Sequence, residues 1–242
     1  LVEKPLSHDQ EELAKYDFSS AINKIGVAYN LRYMPSANKV KRIISDRVLG
    51  RLNNVQIECG QYLPDWRPGT DYRQGVSAQK KLGGGALLEL SHELDYLLWI
   101  FGGIRSVVAK VETTGILDID VEDNVNALMV SEDDYIIQLH LDFLQRKPKR
   151  MLRAVCSKGN LVWDLINNTV SIEGKEGRVE LIYSDPYYDK NEMYVEQLKG
   201  FIGFTKNQAK FESTIDSASN VMNLIAAIRR SSDMNQWVDV ML

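Results

Sequence analysis

The sequence contains few cysteines, no long apolar run and no excess of basic charge. Its 242 residues include two cysteines, Cys59 and Cys156, whose wide separation gives no metal-ligand spacing. Free cysteines are typical of a reducing compartment, so we expect a cytoplasmic protein. The longest apolar candidate, residues 94–101, is far shorter than the roughly 20 residues that cross a bilayer. We therefore expect no membrane segment.

The charge pattern and the start of the chain exclude further classes. The 29 Lys and Arg residues are outnumbered by 33 Asp and Glu residues, giving a net charge of -4. The basic residues are also scattered, which argues against a nucleic-acid partner. The first residues lack the basic-then-apolar order of a signal peptide. The chain starts at Leu1 rather than at a Met, so we expect it to begin inside a longer gene product.

Hydrophobic periodicity predicts an α+β fold with a large, open, mostly antiparallel sheet and helices on one face. The face without helices is a candidate interface for a homo-oligomer. The expected helices are 7–16, 19–24, 35–44, 83–102, 188–206 and 215–231. The expected strands are 25–30, 55–62, 104–113, 124–131, 135–144, 150–157, 160–165, 168–173 and 178–184.

One segment, from Gly83 to Asp95, carries a pattern that suits acid–base chemistry. On a continuous helix, Glu89, His92 and Tyr96 share one face, while a leucine stripe lies on another. Histidine exchanges protons near neutral pH, and a neighbouring carboxylate would orient its ring. A solvated face of an ordinary amphipathic helix remains an alternative. The triple glycine lacks the spacing of a dinucleotide fingerprint.

Several short segments follow one another in an order that is informative as a set. These are Glu3-Lys4-Pro5, Val27-Ala-Tyr-Asn-Leu-Arg32, Asp65-Trp-Arg67, Gly84-Gly85 followed by His92-x-x-Asp95, the closing segment 217–238, and 231–240 as a terminal strand. Together they resemble the glucose-fructose oxidoreductase / inositol dehydrogenase family (Gfo/Idh/MocA). The resemblance covers essentially the whole chain.

The resemblance implies an N-terminal Rossmann domain that binds NAD or NADP, followed by an open-sheet domain. Under it, residues 1–30 are the last part of the Rossmann domain and residues 31–242 form the substrate-binding and oligomerisation domain. The glycine-rich unit that grips the cofactor's pyrophosphate would then lie upstream. We therefore expect the 242-residue chain alone to be inactive, and the choice between NAD and NADP to be made upstream.

The resemblance also assigns roles to individual residues. It implies that Lys4, within Glu3-Lys4-Pro5, lies between cofactor and substrate, and that His92 exchanges the substrate's proton. The expected reaction transfers a hydride between nicotinamide and a hydroxyl-bearing carbon of a sugar, sugar derivative or polyol. No metal is expected.

Further residues are assigned on weaker grounds. In some family members the tryptophan–arginine pair of the preceding loop contacts the cofactor, which implies that role for Trp66 and Arg67. Four polar residues are candidates for a sugar site, although ordinary loop or strand-edge roles are equally compatible with their positions: Asn30, Arg32, Tyr72 and Arg73.

The chain departs from the family pattern at one position. Members usually carry an aspartate four residues before the histidine, where this sequence has Leu88. Glu89 lies three residues before His92, and we expect it to substitute as a catalytic carboxylate because both spacings reach the same neighbourhood on a helix. Two alternative functions stay open: a catalytically silent sugar-binding or scaffold domain, and an NAD-dependent glycoside hydrolase of the same superfamily.

Overall fold

The sheet extends across most of the chain. The computed structural model describes residues 1–9, 13, 15–18 and 24–241. The sheet has nine strands in the order β8-β7-β6-β5-β1-β4-β3-β2-β9. In chain order, β1 to β9 are Leu52–Gly60, Ile104–Glu112, Asn124–Ser131, Ile136–Asp142, Lys149–Cys156, Gly159–Asp164, Thr169–Glu173, Val179–Ser184 and Val238–Asp239.

Alternating side chains give the sheet one buried face and one open face. In β4, Ile137 and Leu139 are buried, whereas Gln138 between them is exposed. This two-residue period is typical of a strand covered on one side. β1 runs parallel to β4, and the other seven neighbouring pairs are antiparallel. The sheet is therefore mixed, and mostly antiparallel as expected.

Helices cover the buried face. The described residues contain α1 to α5, which are Pro35–Ser45, Ala86–Glu89, Ser91–Phe101, Asn191–Thr205 and Ile215–Met234. α5 lies along β2, where the hydroxyls of Ser231 and Ser232 accept hydrogen bonds from the amides of Ala109 and Val111 at 3.0 and 2.9 Å. In the part of the chain that the structure describes, no helix combines the length and apolar content that a bilayer crossing requires.

The core joins the helices to the sheet through large side chains. Trp163 of β6 is fully buried, packs edge to face against Tyr96 of α3, and donates a hydrogen bond to the hydroxyl of Ser36 in α1. Burying such a ring contributes about 1.5–3 kcal/mol or more. Tyr96 therefore anchors α3 to the sheet.

The expected helix over 83–102 is divided in two. α2 ends at Glu89, Leu90 leaves helical geometry (φ −95°, ψ 24°), and α3 begins at Ser91. The side-chain amine of Lys4 donates to the carbonyl of Glu89 at 2.7 Å, while the amide of Glu93 bonds to Leu90 instead. A contact distant in sequence has replaced a helical hydrogen bond. The shared face predicted for Glu89, His92 and Tyr96 assumed one continuous helix, so it does not describe this segment.

Two other expected elements differ from the structure. The strand over 25–30 is reduced to isolated bridges at Gly26 and Val27, and a 3-10 helix follows at Asn30–Tyr33. The terminal strand over 231–240 is shortened to β9, because α5 continues to Met234 and Asn235 ends it with a left-handed backbone. Four residues of the expected helix over 7–16, and all but the last residue of the expected helix over 19–24, lie outside the described residues.

The remaining expected helices and strands are confirmed, with shifts of a few residues at their ends. These include the seven strands from 104 to 184 and the helices near 35, 191 and 215. Residues 137–143 carry the clearest local signal in this region, because they alternate apolar and polar residues without a break.

Candidate active site

The N-terminal segment meets the start of α3 through Lys4. Its amine lies 2.7 Å from the carbonyl oxygen of Glu89 and 3.5 Å from Oε1 of the same residue. Val2 forms a parallel bridge with Val27, which holds this segment against the chain that leads to Asn30. The lysine side chain is only 17% exposed, yet its amine has three donors and directs two of them at Glu89.

His92 occupies the first turn of α3. The residue is half-buried, and its Nδ1 is buried without a hydrogen-bond partner among the described residues. The ring packs edge to face against Tyr29, with centroids 5.8 Å apart. Because Nδ1 points inward, the part of the ring that remains accessible is the Nε2 side. No closed structural network therefore occupies the imidazole.

The surroundings of His92 favour the neutral ring. Burial lowers the pKa of His92 well below its usual value, and the positive charges of Arg150 and Lys4 lower it further. The imidazole also lies at the positive end of the α3 dipole, which disfavours a cation. The ring is therefore uncharged at neutral pH and can accept a proton.

A buried ion pair involves Glu93, the residue that follows His92. Glu93 is completely buried, and its Oε1 contacts Nε of Arg150, at the start of β5, at 2.5 Å. The second carboxylate oxygen of Glu93 and the hydroxyl of Tyr96 are buried without partners among the described residues. Burial raises the pKa of Tyr96 and of the Cys59 thiol beside this pair. These groups are therefore neutral, and Arg150 is the cation nearest to them.

A second buried ion pair joins α3 to the 3-10 helix at Asn30–Tyr33. Arg32 binds Asp95 through two parallel hydrogen bonds of 3.0 and 2.7 Å, and both side chains are at most 5% exposed. Arg32 also donates to the carbonyl of Glu212. Burial raises the pKa of Asp95, and the guanidinium opposes this.

The predicted site residues fall into two groups. Lys4, Glu89 and His92 lie together, with Glu3 exposed and Pro5 half-buried beside Lys4. The carboxylate of Glu89 contacts Lys4, and the structure shows no contact between it and His92. Tyr96, expected on the same face, is instead directed into the core.

The loop residues form a separate cavity of about 250 Å³. Its lining includes Trp66, Arg67 and Tyr72, whereas neither Lys4 nor His92 contributes to it. Trp66 donates to the carbonyl of Gln61 at 3.2 Å, and Arg67 is exposed. The cavity is thus bounded by an indole ring, a phenol and a free guanidinium.

Three of the four expected substrate residues have protein partners, and the fourth, Asn30, is buried. Arg32 is engaged by Asp95, and Arg73 forms a two-point ion pair with Asp71. The Tyr72 hydroxyl accepts a hydrogen bond from the amide of residue 118. Their substrate role stays a prediction, and the surroundings of Arg32 favour a positioning role instead.

Arg150, Glu93 and Tyr29 were not predicted from the sequence as site residues. Glu93 carried a usable signal, since it is a charged residue inside an otherwise buried turn next to His92. Arg150 and Tyr29 carried none, because their proximity to His92 depends on strand pairing and on the path of a non-helical segment. Within the described ranges, no group of three or more His, Cys, Asp or Glu side chains is arranged to hold a metal ion.

The family is decided by a match over residues 37–162 to the model of the GFO/IDH/MocA C-terminal domain. The chain belongs to the GFO/IDH/MocA family. An uncharacterized oxidoreductase of Synechocystis is 30% identical over 146 residues, which are 58% of this chain and 38% of that protein. The chain therefore matches well under half the length of this curated relative.

Solved structures share the fold of this family member. A levoglucosan dehydrogenase in complex with NADH and levoglucosan superposes with a TM-score of 0.84 at 18% identity, over 99% of this chain and 72% of that one. An inositol dehydrogenase homolog from Azotobacter vinelandii, in complex with NADH and myo-inositol, gives 0.79 at 17% identity, over 98% and 70%. At 17–18% sequence identity, this similarity shows a common fold.

Proposed function

We propose that this chain supplies the substrate-binding part of an NAD(P)-dependent oxidoreductase acting on a hydroxyl-bearing carbon of a sugar, sugar derivative or polyol. In this proposal residues 1–30 end a dinucleotide-binding domain and residues 31–242 bind substrate. The observation that carries it is the imidazole of His92, whose Nδ1 has no hydrogen-bond partner among the described residues and whose pKa is lowered by burial and by the charges of Arg150 and Lys4. The levoglucosan dehydrogenase and the inositol dehydrogenase homolog that share this fold were solved with a sugar derivative and a polyol, which supports the proposal.

His92 acts as the proton acceptor in the oxidation of an alcohol. The hydroxyl proton passes to Nε2, the accessible ring nitrogen, while Nδ1 stays buried. A bound nicotinamide supplies or accepts the hydride. In the reverse direction the imidazolium returns the proton to the carbonyl oxygen.

Lys4 stabilises the charge that develops on the substrate oxygen. Two of its three donors are held by Glu89, so the third is free to point at that oxygen. A fixed donor of this kind contributes typically 2.7–4 kcal/mol to transition-state stabilisation, on the order of 10²–10³ in rate. Glu89 therefore participates by orienting Lys4, which differs from the direct contact with His92 expected from spacing.

The residues assigned to the cofactor fit a nicotinamide dinucleotide. The positive charge of Lys4 acts on the imidazole of His92, which supports a substrate position near both groups. The exposed guanidinium of Arg67 suits a phosphate, and the Trp66 ring borders the adjoining cavity. We propose that Glu3, Lys4, Pro5, Trp66 and Arg67 contact NAD or NADP, and that Tyr72 and Arg73 lie nearer the substrate.

The open sheet face is proposed as the interface of a homo-oligomer. It contains a trough of about 730 Å³ in which half-buried Val108 and Leu128 alternate with polar residues. Partly apolar sheet faces are typical of interfaces. A Leu128→Arg variant should lower the mass measured by light scattering, whereas Val179→Arg at the exposed edge strand should not. Equal masses for all three proteins would contradict the interface.

The reaction is tested by steady-state turnover of the complete enzyme with NAD or NADP and a panel of sugars and polyols. We expect hydride transfer to at least one of them, and a loss of about 10²–10⁴ in kcat for His92→Asn with cofactor affinity nearly unchanged. Binding of NADH without any turnover would favour a silent scaffold. Substrate cleavage without net change in cofactor would favour the glycoside hydrolase.

A further inference from the structure

The cations that face His92 come from two different parts of the chain. Lys4 reaches it from the N-terminal segment and Arg150 from the first residues of β5. Tyr29 faces the ring edge on, and burial raises the pKa of its hydroxyl, so it brings no charge. On its own helix the adjacent acid is Glu93, whose carboxylate is turned inward to Arg150.

We propose that Arg150, through its buried ion pair with Glu93, is a positioning residue that holds His92 in its proton-accepting form. The catalytic role of this arrangement rests on the proposed function. The arrangement itself can be measured without turnover.

The ion pair fixes the backbone at the start of α3. Glu93 is the third residue of that helix, and its amide bonds to the carbonyl of Leu90 at 3.1 Å. One residue before that, Glu89 is held by Lys4. His92 thus lies between two residues, Glu89 and Glu93, that are bound by Lys4 and Arg150.

The same pair prevents the neighbouring acid from charging the imidazole. An acid next to a histidine normally favours the imidazolium. Here Nε of Arg150 donates a hydrogen bond to Oε1 of Glu93. The Glu93 side chain is 0% exposed and the Arg150 side chain is 29% exposed. The carboxylate of Glu93 is therefore paired with a cation, and the charge of Arg150 lowers the pKa of His92.

The terminal nitrogens of Arg150 support the proposed effect of its charge on His92. Among the described residues the only acceptor bonded to Arg150 is Glu93, which it contacts through Nε alone. The charge that is spread over the other two nitrogens is thus not neutralised by a second acid. A lysine at this position would keep the ion pair, but a neutral residue would remove both the anchor and the charge.

The test is an NMR titration of the ring protons of the three histidines, His8, His92 and His140, in the 242-residue chain. In the unmodified chain we expect His92 to titrate below about 6.5, the usual histidine value. In Glu93→Gln/Arg150→Gln, which leaves no unpaired buried charge, its midpoint should rise by about one pH unit. In Arg150→Lys it should stay low.

The matched control is Arg153→Gln/Glu173→Gln, an ion pair of 2.8 Å between β5 and β7, which should leave the His92 midpoint unchanged. A midpoint at or above about 6.5 in the unmodified chain would overturn the inference, even if the double variant does not fold. So would an equal shift in the control. If the His92 midpoints are as expected but the complete enzyme turns over no sugar or polyol, the role of Arg150 is supported and only the proposed reaction is contradicted.

Discussion

Lys4 donates a 2.7 Å hydrogen bond to the main-chain carbonyl of Glu89, at the point where two helices meet. In a continuous helix that oxygen would accept from the amide of Glu93, which bonds to Leu90 instead. The amine therefore takes over one main-chain hydrogen bond and lies next to the turn that carries His92. A change at Lys4 should affect both the charge near the imidazole and the local backbone.

We expect Lys4→Met to lower kcat of the complete enzyme about 10²–10³-fold, because the oxyanion loses a fixed donor. KM should change less, since the substrate is bound through other groups as well. Steady-state kinetics with the best substrate of the panel measure both constants. Lys24→Met, at an exposed lysine, is the control and should keep the original kcat. A kcat for Lys4→Met within about twofold of the original would remove Lys4 from the reaction.

The pKa of His92 sets a pH dependence with a defined sign. The ring must be neutral to accept a proton, and its folded pKa lies well below the unfolded value of about 6.5. We therefore expect kcat/KM for alcohol oxidation to be nearly constant at pH 6.5 and above, and to fall only at more acidic pH. The acidic midpoint of the kcat/KM profile measures this. A midpoint near or above 6.5 would contradict it.

The same shift affects stability, because the unfolded chain binds a proton at His92 more readily than the folded one. The stabilising contribution is complete above about pH 6.5 and is lost as the pH falls below it, at up to about 1.4 kcal/mol per pH unit. Urea unfolding at several pH values follows this change. In His92→Asn the slope between pH 5 and 6.5 should be shallower by roughly that amount.

The sequence predicted the sheet well because its signal is local. Strands such as β4 carry an alternating pattern that requires no knowledge of their neighbours. The break at Leu90 had no such signal, since residues 86–101 have good helical periodicity throughout. It depends on Lys4, 85 residues away in sequence from Glu89. Tertiary contacts of that kind override local preference.

The site was predicted only in part for a similar reason. His92 and Lys4 were identified through motif resemblance, and the structure brings them to one place. The ring's electrostatic surroundings were not predicted, because Arg150 approaches through the pairing of β5 with β1. Arg32 was one of four candidate sugar ligands, with an ordinary structural role as an equal alternative, and its burial against Asp95 is visible only in three dimensions.

The pair Arg32–Asp95 should matter for stability. Arg32→Met leaves a buried carboxylate without its partner, which we expect to lower the free energy of unfolding by about 3–5 kcal/mol. Arg32→Met/Asp95→Leu removes both charges and should recover much of that loss. The exposed pair Arg105–Asp134 provides a control, and Arg105→Met should change stability by less than about 1 kcal/mol. Urea unfolding compares the four proteins, and equal losses for the single and double variants would contradict the argument.

Gly84 is required by close packing rather than by a cofactor phosphate. A Cβ atom there would lie 2.4 Å from the carbonyl oxygen of Val76 and 2.7 Å from that of Ser77. Both are main-chain atoms, so the 3-10 helix at Val76–Ala78 would have to move. We expect Gly84→Ala to lower the free energy of unfolding by about 1–3 kcal/mol.

Gly174→Ala is the matched control for Gly84→Ala. Its Cβ would meet only the carbonyl of Arg178, at 3.8 Å, and its φ of −97° is open to any residue. This change should be neutral or stabilise the protein by up to about 1 kcal/mol, because alanine reduces the entropy of the unfolded chain. Thermal or urea unfolding of both variants separates the two cases. If Gly84→Ala were as stable as Gly174→Ala, steric packing would not explain the glycine, and a direct role in ligand binding would become the better explanation.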